Sequence, residues 1–225
     1  MNATAETAAL TQSLRSLGLA ERDEEPGYQT LSGGVSSQIW RVDLRSGPVC
    51  VKRALPRLRV EKEWLAPIER NRYEFAWMRV VSAIAPRAVP RLLGHDVEHN
   101  LFVMEYLPPE SYPLWKTELR DGRADPEFAA RVGRLLALIH RSTAHNLDIA
   151  AAFPTDAIFH SLRLEPYLEA TALQHPDLAP ALARLIETTA ASKHALVHGD
   201  ASPKNILSGP EGPVLLDAEC AWYGD

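Results

Sequence analysis

The sequence predicts an α+β fold in which strands come first and helices follow. Three observations carry that expectation. Residues 28–107 hold short runs rich in β-branched and aromatic residues, punctuated by Gly and Pro. From Asp125 onward the apolar residues recur at helical spacing instead. The chain has 225 residues, 46% hydrophobic and 24% charged, which is enough for a real core and falls in the composition range of globular proteins. The division falls near Pro108-Pro109, giving an N-terminal unit over 1–107 and a C-terminal unit over 108–225.

Taken in order, Leu10, Leu14 and Leu17 at spacings of four and three predict an amphipathic helix within residues 4–20. The acidic run Glu21, Asp23, Glu24, Glu25 before Pro26 reads as its solvated end. YQTLSGGVSSQIWRVDL then reads as strand, loop, strand, and VCVKRAL as the next strand, with Gly47-Pro48 at the turn between hairpins. A helix is expected from Pro67, whose ring suits a first helical turn, to Ala85, where Pro86 stops it; Trp77, Met78, Val81 and Ile84 form its stripe. VPRLLGHD and HNLFVMEYL are two more strands, PPE breaks the second, and no second sheet is expected beyond it. Asp125-Pro126 opens a helix in which Phe128, Val132, Leu135, Leu136, Ile139 and His140 recur, and further helices are expected over about residues 160–173 and 176–192. Two short apolar runs, ALV and PVLLDA, flank polar loops at the end.

Charge and cysteine content narrow the function classes. A net charge of -5 offers no electrostatic reason to expect nucleic acid as a partner. No apolar run approaches the roughly 18 residues of a membrane span, so no membrane partner is expected. The N-terminus lacks the apolar core of a signal peptide, and Cys50 and Cys220 lack metal-ligand spacing; together these point to a reducing cytoplasm. Of 24 basic residues only five are Lys, so each Lys is a candidate for a place where a compact point charge matters.

The chemistry-bearing residues gather at the C-terminal end: His198, Gly199 and Asp200, then Asn205 five residues after the Asp, then Asp217 and Glu219 after a hydrophobic run. Alone, an Asp after Gly is usually a turn and an Asn before Ile-Leu a loop end. As an ordered set they have the spacing of a phosphotransferase catalytic loop, with an Asp to accept a hydroxyl proton and an Asn and a second Asp to ligate Mg²⁺. Magnesium is hard and octahedral, so a few protein oxygens suffice where phosphate and water complete the shell. Glu219 reads either as a ligand to a second Mg²⁺ or as a cap on the loop.

HGDASPKNIL with LLDAE resembles the aminoglycoside phosphotransferase family, relatives of the eukaryotic-type protein kinases. The resemblance covers about residues 28–225 and implies a protein-kinase-like, two-lobed fold: a nucleotide-binding lobe over 1–107, a helical catalytic lobe over 108–225, and ATP between them. It implies that LSGGVSSQIWRV is a glycine-rich phosphate loop, with Gly33, Gly34, Ser36 and Ser37 near the phosphates, and that Lys52 in VCVKRAL pairs with them. Glu74, on the apolar stripe of the following helix, is preferred over Glu69 or Glu63 as the partner of Lys52. FVMEYL is the implied hinge, where backbone groups of Glu105 to Leu107 would read adenine and Met104 would line the pocket. Asp200 would be the base and Asn205 and Asp217 the metal ligands, while Lys204 would reach the transferring phosphate and His198 brace the loop. His140, on an apolar stripe, reads as a core histidine.

The implied reaction is Mg-ATP-dependent transfer of the γ-phosphoryl group to a hydroxyl of a small-molecule acceptor. Two alternatives stand beside it: a methylthioribose-like sugar kinase and a nucleotide-binding module without turnover. KRALPRLRVEKEW is similar to the segment after the strand lysine in methylthioribose kinases, although those usually carry Ser where this chain has Asn205, and an Asn-containing phosphate loop. HGD in place of HRD and DAE in place of DFG disfavour a protein kinase proper. Family members usually continue for several dozen residues beyond the stretch resembling WYGD, so helices that help form the acceptor pocket are expected to be missing after Asp225. The acceptor and the oligomeric state are not legible.

Overall fold

Alternation along the strands explains how the first half is layered. In the computed structural model, which describes residues 3–31, 36–55 and 67–225, helix α1 (Ala3–Ser16) is followed by β1 (Gly27–Thr30), β2 (Ser37–Leu44) and β3 (Gly47–Ala54). Helix α2 (Arg70–Ile84) then leads to β4 (Leu92–Asp96) and β5 (Leu101–Glu105). The five strands form one antiparallel sheet in the order β1-β2-β3-β5-β4. Successive side chains of a strand point to opposite faces. Val49 and Val51 of β3 accordingly join Trp40, Val42, Leu101 and Val103 against Leu10 and Leu14 of α1. Cys50 faces the other way and joins Trp77, Met78 and Val81 of α2. Lys52 shares the parity of Cys50, which turns it toward α2.

Two local expectations are corrected here. The turn between β2 and β3 is Arg45-Ser46, because Leu44 already pairs with Gly47; Gly47 opens β3 at φ 114, a backbone that favours glycine. The acidic run is not wholly solvated. Glu24 is buried, its Oε1 accepting from the Arg45 N–H at 2.6 Å and its Oε2 from the Glu21 N–H at 3.1 Å.

The second half is mainly helical: α3 (Trp115–Arg120), α4 (Pro126–Thr143), α5 (Leu147–Ala152), α6 (Asp156–Phe159), a π-helical stretch (His160–Glu169), α7 (Ala170–Gln174) and α8 (Ala179–Ala191). Asp125 caps α4, its carboxylate accepting from the Glu127 N–H at 2.9 Å, and Phe128, Val132 and Ile139 bury its apolar stripe. Contrary to expectation, strands return after the helices: β6 (Ala195–Val197), β7 (Ile206–Gly209), β8 (Gly212–Leu215) and β9 (Trp222–Gly224) pair as β6-β9 and β7-β8. They are only three or four residues long and their pairing is partly non-local, so the sequence offers little periodicity from which to read them. One core spans both halves, with Trp77, Phe102 and Met104 packed together with Phe128, Leu196 and Leu215. Among the described residues no helix is long and apolar enough to cross a membrane.

Candidate active site

The inner part of the site is built on Lys52. Its Nζ donates to Glu74 Oε1 at 2.7 Å and to Asp217 Oδ1, bringing together a strand, a helix and a loop 165 residues further along the chain. The Lys52 and Glu74 side chains are 3% and 2% exposed, whereas that of Asp217 is 31% exposed. Burial alone would push Lys52 toward its neutral form, but the charges of Asp217 and Glu74 outweigh it and hold the ammonium protonated well above its ordinary range. Burial pushes the Glu74 carboxyl up to about 7, opposed by Lys52. Asp217 moves the opposite way: burial would raise it, yet the Lys52 charge and hydrogen bond hold it below the usual carboxylate range. Because one ammonium serves two carboxylates, neither receives it in full.

Asp217 has φ 64, a left-handed backbone uncommon outside glycine but tolerated by Asp. Its place is held from two sides, by Lys52 and by the Leu216 N–H donating to the Asn205 carbonyl at 2.9 Å. That second bond, with the register Ile206↔Leu215, puts Asn205 and Asp217 side by side at the open end of the β7-β8 hairpin.

The catalytic-loop candidates follow β6 directly. Gly199 has φ 75, and a Cβ there would lie 2.2 Å from the Cys220 carbonyl oxygen, so HGD needs its glycine on both counts. His198 accepts the Asp200 N–H on Nδ1 at 3.2 Å, which leaves the proton on Nε2, within 3.0 Å of the Leu216 carbonyl. Burial lowers its pKa to about 4, the Leu216 carbonyl opposing, and the neutral ring sits edge-on to Trp77. His198 braces the loop and has no free nitrogen with which to act as a base.

Asp200 is gripped at a single oxygen. Its Oδ2 accepts from Asn205 Nδ2 at 2.9 Å and forms ion pairs with Lys204 Nζ at 2.9 Å and Arg163 Nη2 at 2.8 Å. Oδ1 accepts none of the three. Asn205 Nδ2 also donates to the Asp200 carbonyl at 3.0 Å, so the donor end of the amide is engaged and its oxygen is the atom available to a cation. Asn205 and Asp217 therefore present hard oxygens beside Lys52, where one ammonium faces the two carboxylates Glu74 and Asp217. Among the described residues no three His, Cys, Asp or Glu side chains converge as a metal cage. Two protein oxygens and net negative charge fit Mg²⁺, which keeps much of its shell for water and phosphate.

Glu219 is engaged elsewhere: its Oε2 accepts from Arg70 Nε at 2.9 Å, and both side chains are buried. That contact favours a latch over a second metal ligand. Arg70 also donates to the carbonyls of Ser36, Leu55 (2.7 Å) and Pro67 (2.9 Å). It thus ties the end of β3, the approach to β2 and the start of α2 to the loop carrying Asp217. Ser36 and Ser37 are buried where β2 begins; Gly33, Gly34 and Glu63 lie outside the described residues. Glu69 stands at the start of α2 without a side-chain capping bond. In the predicted hinge, Met104 is buried in the core shared by the two halves, and the Glu105 N–H is already engaged, donating to the Arg91 carbonyl at 2.8 Å.

Sequence reasoning missed Arg163 and Arg70. Arg70 left a signal, since it lies one turn before Glu74 on the stripe of Trp77, Met78 and Val81, where a charge must be paired. Arg163 left none, being one Arg among 19 on a stretch without a motif. Both cysteines are free and buried, and burial pushes the Cys50 thiol up to about 12, so neither offers a ready thiolate.

Residues 27–225 match the phosphotransferase enzyme family. The chain is 26% identical over 233 residues to a methylthioribose kinase of Bacillus cereus, covering 92% of this chain and 59% of that protein. Among solved structures, it resembles a choline kinase from Cryptosporidium parvum with a TM-score of 0.61 and 13% identity, over 96% of this chain and 65% of that one. A choline kinase from Streptococcus pneumoniae gives a TM-score of 0.57 at 19% identity, over 98% and 71%. The chain thus spans about half to three fifths of the length of the curated relatives it matches.

Proposed function

The chain belongs to the phosphotransferase enzyme family, and from that premise we propose that it transfers the γ-phosphoryl group of ATP to a hydroxyl of a small molecule. The observation that carries the proposal is the convergence of Lys52, Glu74 and Asp217 beside Asp200 and Asn205. Lys52, steadied by Glu74, neutralises the nucleotide phosphates, which Gly33, Gly34, Ser36 and Ser37 would also contact. Asn205 Oδ1 and the Asp217 carboxylate would hold Mg²⁺, which when bound supplies charge stabilisation on the phosphates. Glu219 supports this arrangement through Arg70. Leu107 and its neighbours would receive the adenine.

At the reacting end Asp200 Oδ1 takes the proton of the acceptor hydroxyl. The freed oxygen lone pair forms the new bond to the γ-phosphorus as the bond to the bridging oxygen breaks, leaving ADP with those electrons. Lys204 and Arg163 keep Asp200 oriented, with Oδ1 free, and face the transferred group with positive charge. Among acceptors, similarity to methylthioribose kinases favours a sugar hydroxyl.

Calorimetry with Mg-ATP tests the metal assignment. Asp217→Ala should lose the Mg-dependent part of binding while keeping the fold by circular dichroism. Binding equal to the parent would remove Asp217 from the metal site. An acceptor screen over sugars, amino alcohols and aminoglycosides separates the enzyme from a nucleotide-binding module, which would bind ATP and turn over none of them.

A further inference from the structure

The reacting end of the site carries more positive charge than its one carboxylate balances. Arg163 and Lys204 both hold Asp200 Oδ2, at 2.8 and 2.9 Å. Of the other carboxylates, Glu219 is taken by Arg70, and Asp217 is held directly by Lys52 and attracts Lys204 less than Asp200 does. Glu165 is exposed and lies two residues from Arg163, a spacing at which helical side chains do not face each other. Arg163 cannot simply swing aside. Its Nε donates to the Gly199 carbonyl at 2.7 Å and its Nη1 to the Leu162 carbonyl at 2.8 Å, so two hydrogen bonds and an ion pair fix the guanidinium beside the base.

Resting on the phosphotransferase reading, we propose that Arg163 and Lys204 set the acceptor class: a neutral sugar or polyol, with no ammonium group beside the reacting hydroxyl. A hydroxyl on Oδ1 lies across one carboxylate from both cations. An amine on the neighbouring carbon would meet two like charges in a site only partly screened by water, a repulsion that corresponds to roughly tenfold discrimination or more. The same excess is favourable toward the anionic phosphoryl group, so one pair of cations serves transfer and selection. Tyr167 adds a second feature of the same kind. It is 58% exposed, with the Arg163 guanidinium 5.8 Å from its ring centroid, and so places an aromatic surface able to stack on the C–H face of a sugar next to the cations.

The test uses matched pairs: pentoses, hexoses and their thioglycosides, each beside its amino-sugar counterpart, assayed by phosphotransfer and by calorimetry in the presence of a Mg-bound non-hydrolysable ATP analogue. The neutral member of each active pair should be preferred at least about tenfold, and Arg163→Gln and Lys204→Gln should each shrink that ratio severalfold. A ratio of neutral to cationic acceptor is read because a merely structural loss would lower both members alike. Equal or better use of the amino sugars overturns the proposal, as does a preference that survives both substitutions. Mg-ATP binding without use of either class also overturns it while leaving the nucleotide assignment standing. Failure to bind Mg-ATP at all removes the phosphotransferase reading itself.

Discussion

Two groups of charges make up the site, and they are built in opposite proportions. In the inner group one ammonium, Lys52, answers two carboxylates, Glu74 and Asp217, and the Lys52-Glu74 pair is almost wholly buried. In the outer group two cations, Arg163 and Lys204, answer one carboxylate, Asp200, and Lys204 is 51% exposed. The inner excess of negative charge suits a divalent cation, and the outer excess of positive charge suits an anion in transit. Their contributions to folding differ for the same reason. Removing one partner of a buried pair strands the other charge out of water. Around Lys204 water screens what is left, so it contributes little to stability and acts chiefly on chemistry, whereas Arg163 and Asp200 are each only 18% exposed.

The largest expected effect lies in the inner group. Lys52→Met leaves Glu74 buried without a cation, and urea unfolding should report a loss of about 3–5 kcal/mol. Adding Glu74→Leu removes the stranded carboxylate, so the double variant should recover a good part of that loss. A double variant no more stable than the single would mean that Glu74 is not the buried charge at stake.

Next in size is Asp200→Asn, which keeps the shape of the side chain and removes the charge that receives the proton. Turnover should fall on the order of a hundredfold, while calorimetry shows ATP affinity within about twofold of the parent, since the nucleotide is held by the inner group. If ATP binding falls in step with turnover, the division of labour between the two groups fails.

His198, which joins the groups through Asp200 and Leu216, makes stability depend on pH. Its folded pKa, lowered by burial to about 4, lies below the ordinary 6.5. On acidification the unfolded chain therefore takes up the proton first. The His198 contribution is whole above about pH 6.5 and is lost as pH falls toward 4, by about 1 kcal/mol at pH 5.5 and about 3 kcal/mol in all. Denaturation between pH 7 and 5 should show this slope, and His198→Gln should flatten it; an unchanged slope would assign the acid sensitivity elsewhere. Smallest is the effect of Lys204→Ala on folding, expected below about 1 kcal/mol by thermal melting. A loss above about 2 kcal/mol would make the outer group structural and erase the contrast.

Particular residues show how far the sequence carries. Glu74 was legible because its stripe neighbours are apolar, and a carboxylate on such a face must find a cation. Lys52 was legible from the resemblance of VCVKRAL to the family's lysine-bearing strand and from the scarcity of Lys. The reading of Glu24 as solvated failed because its two partners are backbone amides, and the one across the hairpin, Arg45, has no periodicity that points to it. The short strands β6 to β9 escaped notice because three or four residues hold too little pattern to separate strand from loop.

Order, spacing and local periodicity already determined the two-part architecture, the helix carrying Glu74 and the set from His198 to Asp217, because these depend on neighbours within a turn of helix or a few strand residues. What only the tertiary structure decided is which charges meet. Lys52 finds Asp217 across 165 residues, Arg70 pairs with Glu219, and Arg163 arrives at Asp200 from a helical stretch without a motif. Side chains of one type are interchangeable in the linear pattern, and only packing of the two halves around one core sets the distances that give each its partner.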